Sequence, residues 1–127
     1  MKETRDQQQR TITASWPIDR AALVSLHGEK VAMTMLDYLA DFFQDGVVQV
    51  QALERAVAER DGQAMVLAAH TLRGSCSMMA MTSLVDYCRA IEAAGDNGAL
   101  DEAVAQAQAL TEEYALIQSV LAPPSQP

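Results

Sequence analysis

The chain has few aromatic residues, little glycine or proline between its ends, few cysteines and little positive charge, and each shortage excludes a class of protein. Aromatics are 5% of the 127 residues, and the apolar half is mostly Ala, Leu, Val and Met, a composition that favours helices over strands. Two cysteines, Cys76 and Cys88, cannot build a disulfide framework, and their spacing fits no zinc signature. Both are expected as reduced thiols, and no metal site is expected. Nine basic residues against seventeen acidic ones give a net charge of -8 with no basic stripe, which excludes a nucleic-acid partner. No apolar run approaches the roughly 20 residues that span a bilayer, and the polar start Met1-Lys2-Glu3-Thr4-Arg5-Asp6 has no signal-peptide core. No membrane association is expected, and the chain reads as cytoplasmic, either whole or as a module of something larger. A starting Met and two polar ends favour a free-standing protein.

The chain is long enough for one domain with a sizeable core. Residues 1–15 are polar and without apolar period, and Pro123-Pro124-Ser125-Gln126-Pro127 cannot continue a helix, so 1–15 and 122–127 are expected to be flexible tails around a domain at 16–121. Asp19 is placed to cap a short helix that Gly28 stops. Val31, Met35, Leu36, Leu39, Phe42 and Phe43 recur at helical spacing from Glu29 to about Gln44, where Asp45-Gly46 is expected to close the segment. Val47 to Arg60 reads as a third, amphipathic helix. Asp61 caps a fourth through about Ala80, Thr82 or Ser83 caps a fifth through about Ala94, and Gly95-Asp96-Asn97-Gly98 turns into a sixth from about Ala99 to Leu121. The expected fold is all-α: an antiparallel up-down four-helix bundle of the last four helices, capped by the two short N-terminal ones.

The fourth helix carries the chemistry. At about 100° per residue, Met65, Ala68, Ala69, Leu72, Cys76 and Met79 fall on the side opposite His70 and form the core stripe. Gln63, Val66, Leu67, Arg73, Gly74, Ser77 and Met81 lie within about 60° of His70, so the imidazole is expected in solvent among them. A neutral imidazole is a nitrogen nucleophile, able to attack an activated phosphoryl group. Arg73, one turn on, offers a permanent cation to stabilise phosphoryl oxygens. Gly74, helix-disfavouring beside an exposed His, suggests room for a partner's close approach, or else packing against a neighbouring helix. Gln63, Val66, Leu67, Ser77 and Met81 are the candidate partner-binding residues. His27, at the end of the first helix, is assigned no function, Arg89 and Glu92 are read as a solvated pair, and Met33, Met35, Met65, Met78, Met79 and Met81 as adaptable core or docking contacts.

The run His70-Thr71-Leu72-Arg73-Gly74-Ser75-Cys76, with Leu84, Cys88, Ile91 and Glu92 following without insertion, resembles the signature of histidine-containing phosphotransfer (HPt) domains of phosphorelays. Ala69 and Asp61 also look like that family, and the resemblance covers about Met35 to Ala94. It departs from the usual pattern in Arg73 for Lys, Cys76 for Ser and Ala80-Met81 for Gly-Ala. The last change is expected to add bulk near the docking face.

The resemblance implies that His70 is the phosphoacceptor, expected at Nε2, with Arg73 in the usual Lys position and Gly74 opening the surface to the partner. The implied function is a phosphorelay intermediate that takes a phosphoryl group from a receiver-domain aspartate and passes it to a response-regulator receiver. Partners would be receiver domains and a hybrid histidine kinase, with Mg2+ on the receiver and no cofactor of the chain's own. No ATP-binding motif is present, so the chain is expected to be a phosphocarrier and not an enzyme, working as a monomer. A rival reading is a module that binds and inhibits a kinase or receiver without carrying phosphate; a purely structural bundle is a third.

Overall fold

The computed structural model describes residues 15–121, so the two expected tails lie, except for Ser15, outside the described residues. Among the described residues there are six helices and no strand: α1 (Arg20–His27), α2 (Glu29–Asp37), α3 (Leu39–Ala58), α4 (Gly62–Met78), α5 (Thr82–Asp96) and α6 (Leu100–Leu121). None is long and apolar enough to cross a membrane.

Local chemistry sets several of these boundaries as the sequence suggests. The Asp19 carboxylate accepts from the backbone N–H of Ala22 at 3.0 Å, and that of Asp61 accepts from Ala64 at 3.1 Å, so α1 and α4 each start on a side-chain cap. Gly28, with φ +83, ends α1 in a conformation that L side chains rarely adopt.

Elsewhere the structure corrects the reading. Asp45-Gly46 does not close a helix; α3 runs through it, and the chain breaks instead at Tyr38, where neither Gly nor Pro marks the place. Gly46 is there for packing, since a Cβ on it would overlap the Tyr114 hydroxyl from α6. That hydroxyl donates to the Phe43 carbonyl at 2.9 Å and ties α6 to α3. Neither Thr82 nor Ser83 caps α5 with its side chain; the cap residue is Met81, and the Ser83 hydroxyl donates to Glu113 at 2.8 Å.

The core lies among α3, α4, α5 and α6. α4 packs against α3 and α5, α6 packs against the same two helices, and α4 and α6 meet more thinly. The predicted stripe of α4 is the face it buries: Met65, Ala68, Ala69, Leu72 and Cys76 are all inside, with Met79 just beyond the helix end. They meet Phe43 and Leu53 of α3, Leu84, Cys88 and Ile91 of α5, and Leu110 and Ile117 of α6. Each large side chain so enclosed contributes roughly 1.5–3 kcal/mol, enough to fix which face of α4 remains outside. The N-terminal segment is fastened across this core. The Trp16 indole donates to the buried Glu113 carboxyl at 2.7 Å, Asp19 N–H donates to Ala80 O at 2.9 Å, and His27 Nε2 meets Met78 O at 2.9 Å.

Candidate functional site

With the core stripe anchored, the opposite face of α4 stands in solvent and His70 is 63% exposed. Its Nδ1 lies 3.0 Å from Oε1 of Glu92, which α5 carries one turn after the buried Cys88. Arg73, one turn after His70, places Nε 2.6 Å from Glu92 Oε2 and Nη2 3.4 Å from Oε1. The same Nη2 lies 3.2 Å from His70 Nδ1. Two side chains of α4 thus converge on one carboxylate of α5, which is only 17% exposed.

Nδ1 faces an acceptor, Glu92 Oε1 at 3.0 Å, and a donor, Arg73 Nη2 at 3.2 Å, and the shorter contact is the one to the acceptor. An unprotonated Nδ1 would set its lone pair 3.0 Å from a carboxylate oxygen, lone pair against lone pair, whereas an Nδ1–H donates to that oxygen. The shorter contact favours the neutral-state proton on Nδ1, pointing inward at Glu92. Nε2, which no described residue bonds, keeps the free lone pair. Burial alone would raise the pKa of Glu92, but hydrogen bonds from Arg73 and then His70 outweigh it and hold the carboxyl below its ordinary range. The hydrogen bond to Glu92 correspondingly raises Arg73. The arrangement is a nucleophilic nitrogen with its tautomer held by a carboxylate, the logic of catalytic histidines oriented by an acid.

The expected neighbours of His70 divide. Gln63, Leu67, Gly74 and Ser77 are exposed, Leu67 by 67%. Nothing lies within 4 Å of a Cβ built on Gly74, so it is not a packing glycine. Val66 is half-buried against Gly95, where a Cβ would overlap its Cγ2. Met81 is a correction: it is fully buried and cannot line a docking face. α4 ends at Met78, Ala80 takes φ +55, and Met81 N–H returns to Cys76 O at 3.0 Å, so the helical wheel no longer applies and the added bulk fills the core. The methionine exposed on this helix is Met78.

One further reading changes, and two residues gain partners that the sequence did not show. Glu92 is not a solvated partner of Arg89; it faces Arg73 and His70 across the helix pair. Arg73, expected to offer its cation to phosphoryl oxygens, rests with its fork on Glu92 at the Nδ1 edge of the ring. His27, besides ending α1, holds the last turn of α4 through Met78 O. The Glu92 contact spans 22 positions in sequence, and only the family pattern, with a Glu at that place, pointed to it.

Among the described residues no cluster of His, Cys, Asp or Glu could hold a metal ion. Cys76 and Cys88 are free and buried; burial pushes both thiols up, Cys88 to about 12. Neither is a nucleophile near neutral pH. A family model, described as Hpt domain, matches residues 37–120, well over half the chain. No curated protein and no solved structure matches.

Proposed function

The chain belongs to the Hpt domain family, and on that premise we propose that His70 takes a phosphoryl group from an aspartyl phosphate on one receiver domain and yields it to another. Hpt domains take part in phosphorelay histidine phosphotransfer and are phosphocarrier modules, not kinases. One observation carries the assignment to His70: on the solvent face of α4 it presents an exposed ring whose Nδ1 edge is set 3.0 Å from the Glu92 carboxylate, leaving Nε2 outward.

In the forward step the Nε2 lone pair forms a bond to phosphorus, the bond from phosphorus to the aspartyl oxygen breaks, and the aspartate leaves as carboxylate. No proton has to move. The ring retains its Nδ1–H and gains positive charge as the new bond forms, and Glu92 sits against that edge to offset it. The return step reverses this, with a receiver carboxylate attacking the N-phosphoryl group. The receiver would bring Mg2+ and its own acidic residues, consistent with transfer that rests on positioning and charge. A hybrid histidine kinase would stand upstream. Gly74, with open space above it, together with Gln63, Leu67 and Ser77, would receive the partner, and a groove of about 240 Å3, its alanine floor and Leu67 bordered by Gln49, Arg55 and Glu59, adjoins them.

The same reading takes α3 to α6 as an antiparallel up-down four-helix bundle capped by α1 and α2, in a single domain at 16–121 that acts as a cytoplasmic monomer. The three-residue connections 59–61, 79–81 and 97–99 support that topology. The test mixes the chain and its His70→Gln variant with receiver domains bearing labelled aspartyl phosphate. Base-stable, acid-labile label is expected on the wild type alone. Binding by both proteins with label on neither would instead favour the inhibitory module.

A further inference from the structure

Where a phosphoryl acceptor has a cation one turn away, the simplest role for that cation is to grip the phosphoryl oxygens. The geometry here points elsewhere. Arg73 makes its shortest contact through Nε, at 2.6 Å from Glu92 Oε2, and a second through Nη2 at 3.4 Å from Oε1. Both lie on the carboxylate, and Nη2 reaches the imidazole only at its Nδ1 edge, the edge away from the attacking nitrogen. A guanidinium fork laid on a carboxylate in this way is held in place by the plane of both groups.

Resting on the reading of His70 as phosphoacceptor, we infer that Arg73 is a positioning residue that acts through Glu92 and does not clamp the phosphoryl group. Its work is to keep a partly buried carboxylate charged and aimed, so that Oε1 accepts from Nδ1–H and Nε2 stays unprotonated. Without Arg73, Glu92 loses its principal counter-charge at a site only 17% exposed, and its side chain is free to leave the ring. His70 then exchanges between its two neutral tautomers, and the fraction with an available Nε2 lone pair falls. Glu92→Gln removes the same effect one step closer to the ring, because its amide no longer requires a donor at Nδ1.

The two possible roles for Arg73 separate in a double-mutant cycle on the full chain, read in two independent ways. The first is the tautomer of His70, from ring nitrogen chemical shifts in 15N-histidine-labelled protein. The second is the rate at which His70 takes phosphoryl from phosphoramidate, a small donor in which attack by Nε2 breaks the P–N bond and ammonia leaves.

If Arg73 acts through Glu92, Arg73→Gln and Glu92→Gln each lose the Nδ1–H preference and slow phosphorylation on the order of 10–100-fold. The double variant is then no slower than Glu92→Gln alone, within about twofold. An Arg73→Gln variant that keeps the wild-type tautomer, or whose rate loss multiplies with that of Glu92→Gln, overturns the inference and makes Arg73 a phosphoryl clamp. Failure of the parent reading looks different. The wild type then takes no label from phosphoramidate or from a phosphorylated receiver, while the tautomer measurement still decides for or against Arg73 acting through Glu92.

Discussion

At the scale of single residues, glycine in a helix is either a necessity of packing or a cost carried for another reason, and this chain has both kinds. Gly74 has open space where its side chain would be, so Gly74→Ala should stabilise the isolated protein by about 0.5–1 kcal/mol through helix propensity alone. Urea denaturation measures the gain, and an unchanged or lowered midpoint would show that the space above Gly74 is occupied. Glu92 supplies a pH dependence of definite sign. Its folded-state pKa is lowered from the ordinary value near 4.5, so as pH falls the unfolded chain takes up the proton first. The stability it contributes is complete above about 4.5 and is lost as pH falls through the lower folded value. Wild type should therefore lose more urea midpoint between pH 7 and pH 3 than Glu92→Gln does. His70, Gly74 and Leu67 were legible as an exposed set because one helical period fixes their common face. The Glu92 contact was not, because it depends on how α5 lies beside α4, a relation no local period contains.

At the scale of elements, the core stripe of α4 followed from spacing because six small or flexible apolar residues sit on one side of a single uninterrupted period. The limits of α2 and α3 did not follow, since Asp-Gly is a turn signal whose meaning reverses when another helix needs the space. Gly46 is the test. Gly46→Ala gains helix propensity but drives a methyl into the Tyr114 hydroxyl and displaces its bond to Phe43 O. The loss of that bond and the overpacking together should cost about 1–3 kcal/mol in thermal or urea unfolding. Tyr114→Phe in the same chain should recover most of it, because removing the hydroxyl removes the overlap. Ala80 shows the same limit of local reading: its left-handed φ of +55 suits the glycine that the family pattern leads one to expect there, and the turn it makes sends Met81 inward.

At the scale of the whole molecule, the described chain is one core closed at one end by its own N-terminal segment. Trp16 donates to Glu113 of α6, whose carboxyl also accepts from Ser83 of α5, so one buried acid joins three separate stretches of chain. Trp16→Phe keeps most of the apolar contact but deletes a hydrogen bond to a carboxyl group that is 3% exposed. A loss of about 1.5–3 kcal/mol in urea denaturation is expected, and a change under 0.5 kcal/mol, the scatter of ordinary surface substitutions, would show that the bond adds little.

Trp16 is also the only indole in the sequence, so nearly all ultraviolet-excited emission from this protein originates at that one seam, 8% exposed and facing Glu113. Ellipticity in the far ultraviolet comes from the whole set of helices, the six described ones included. Recorded together through one denaturant titration, colour and ellipticity report two different places: coincident curves mean that the seam and the helices part as a unit, and an earlier red shift means that the N-terminal segment peels away while the surface bearing His70 is still assembled.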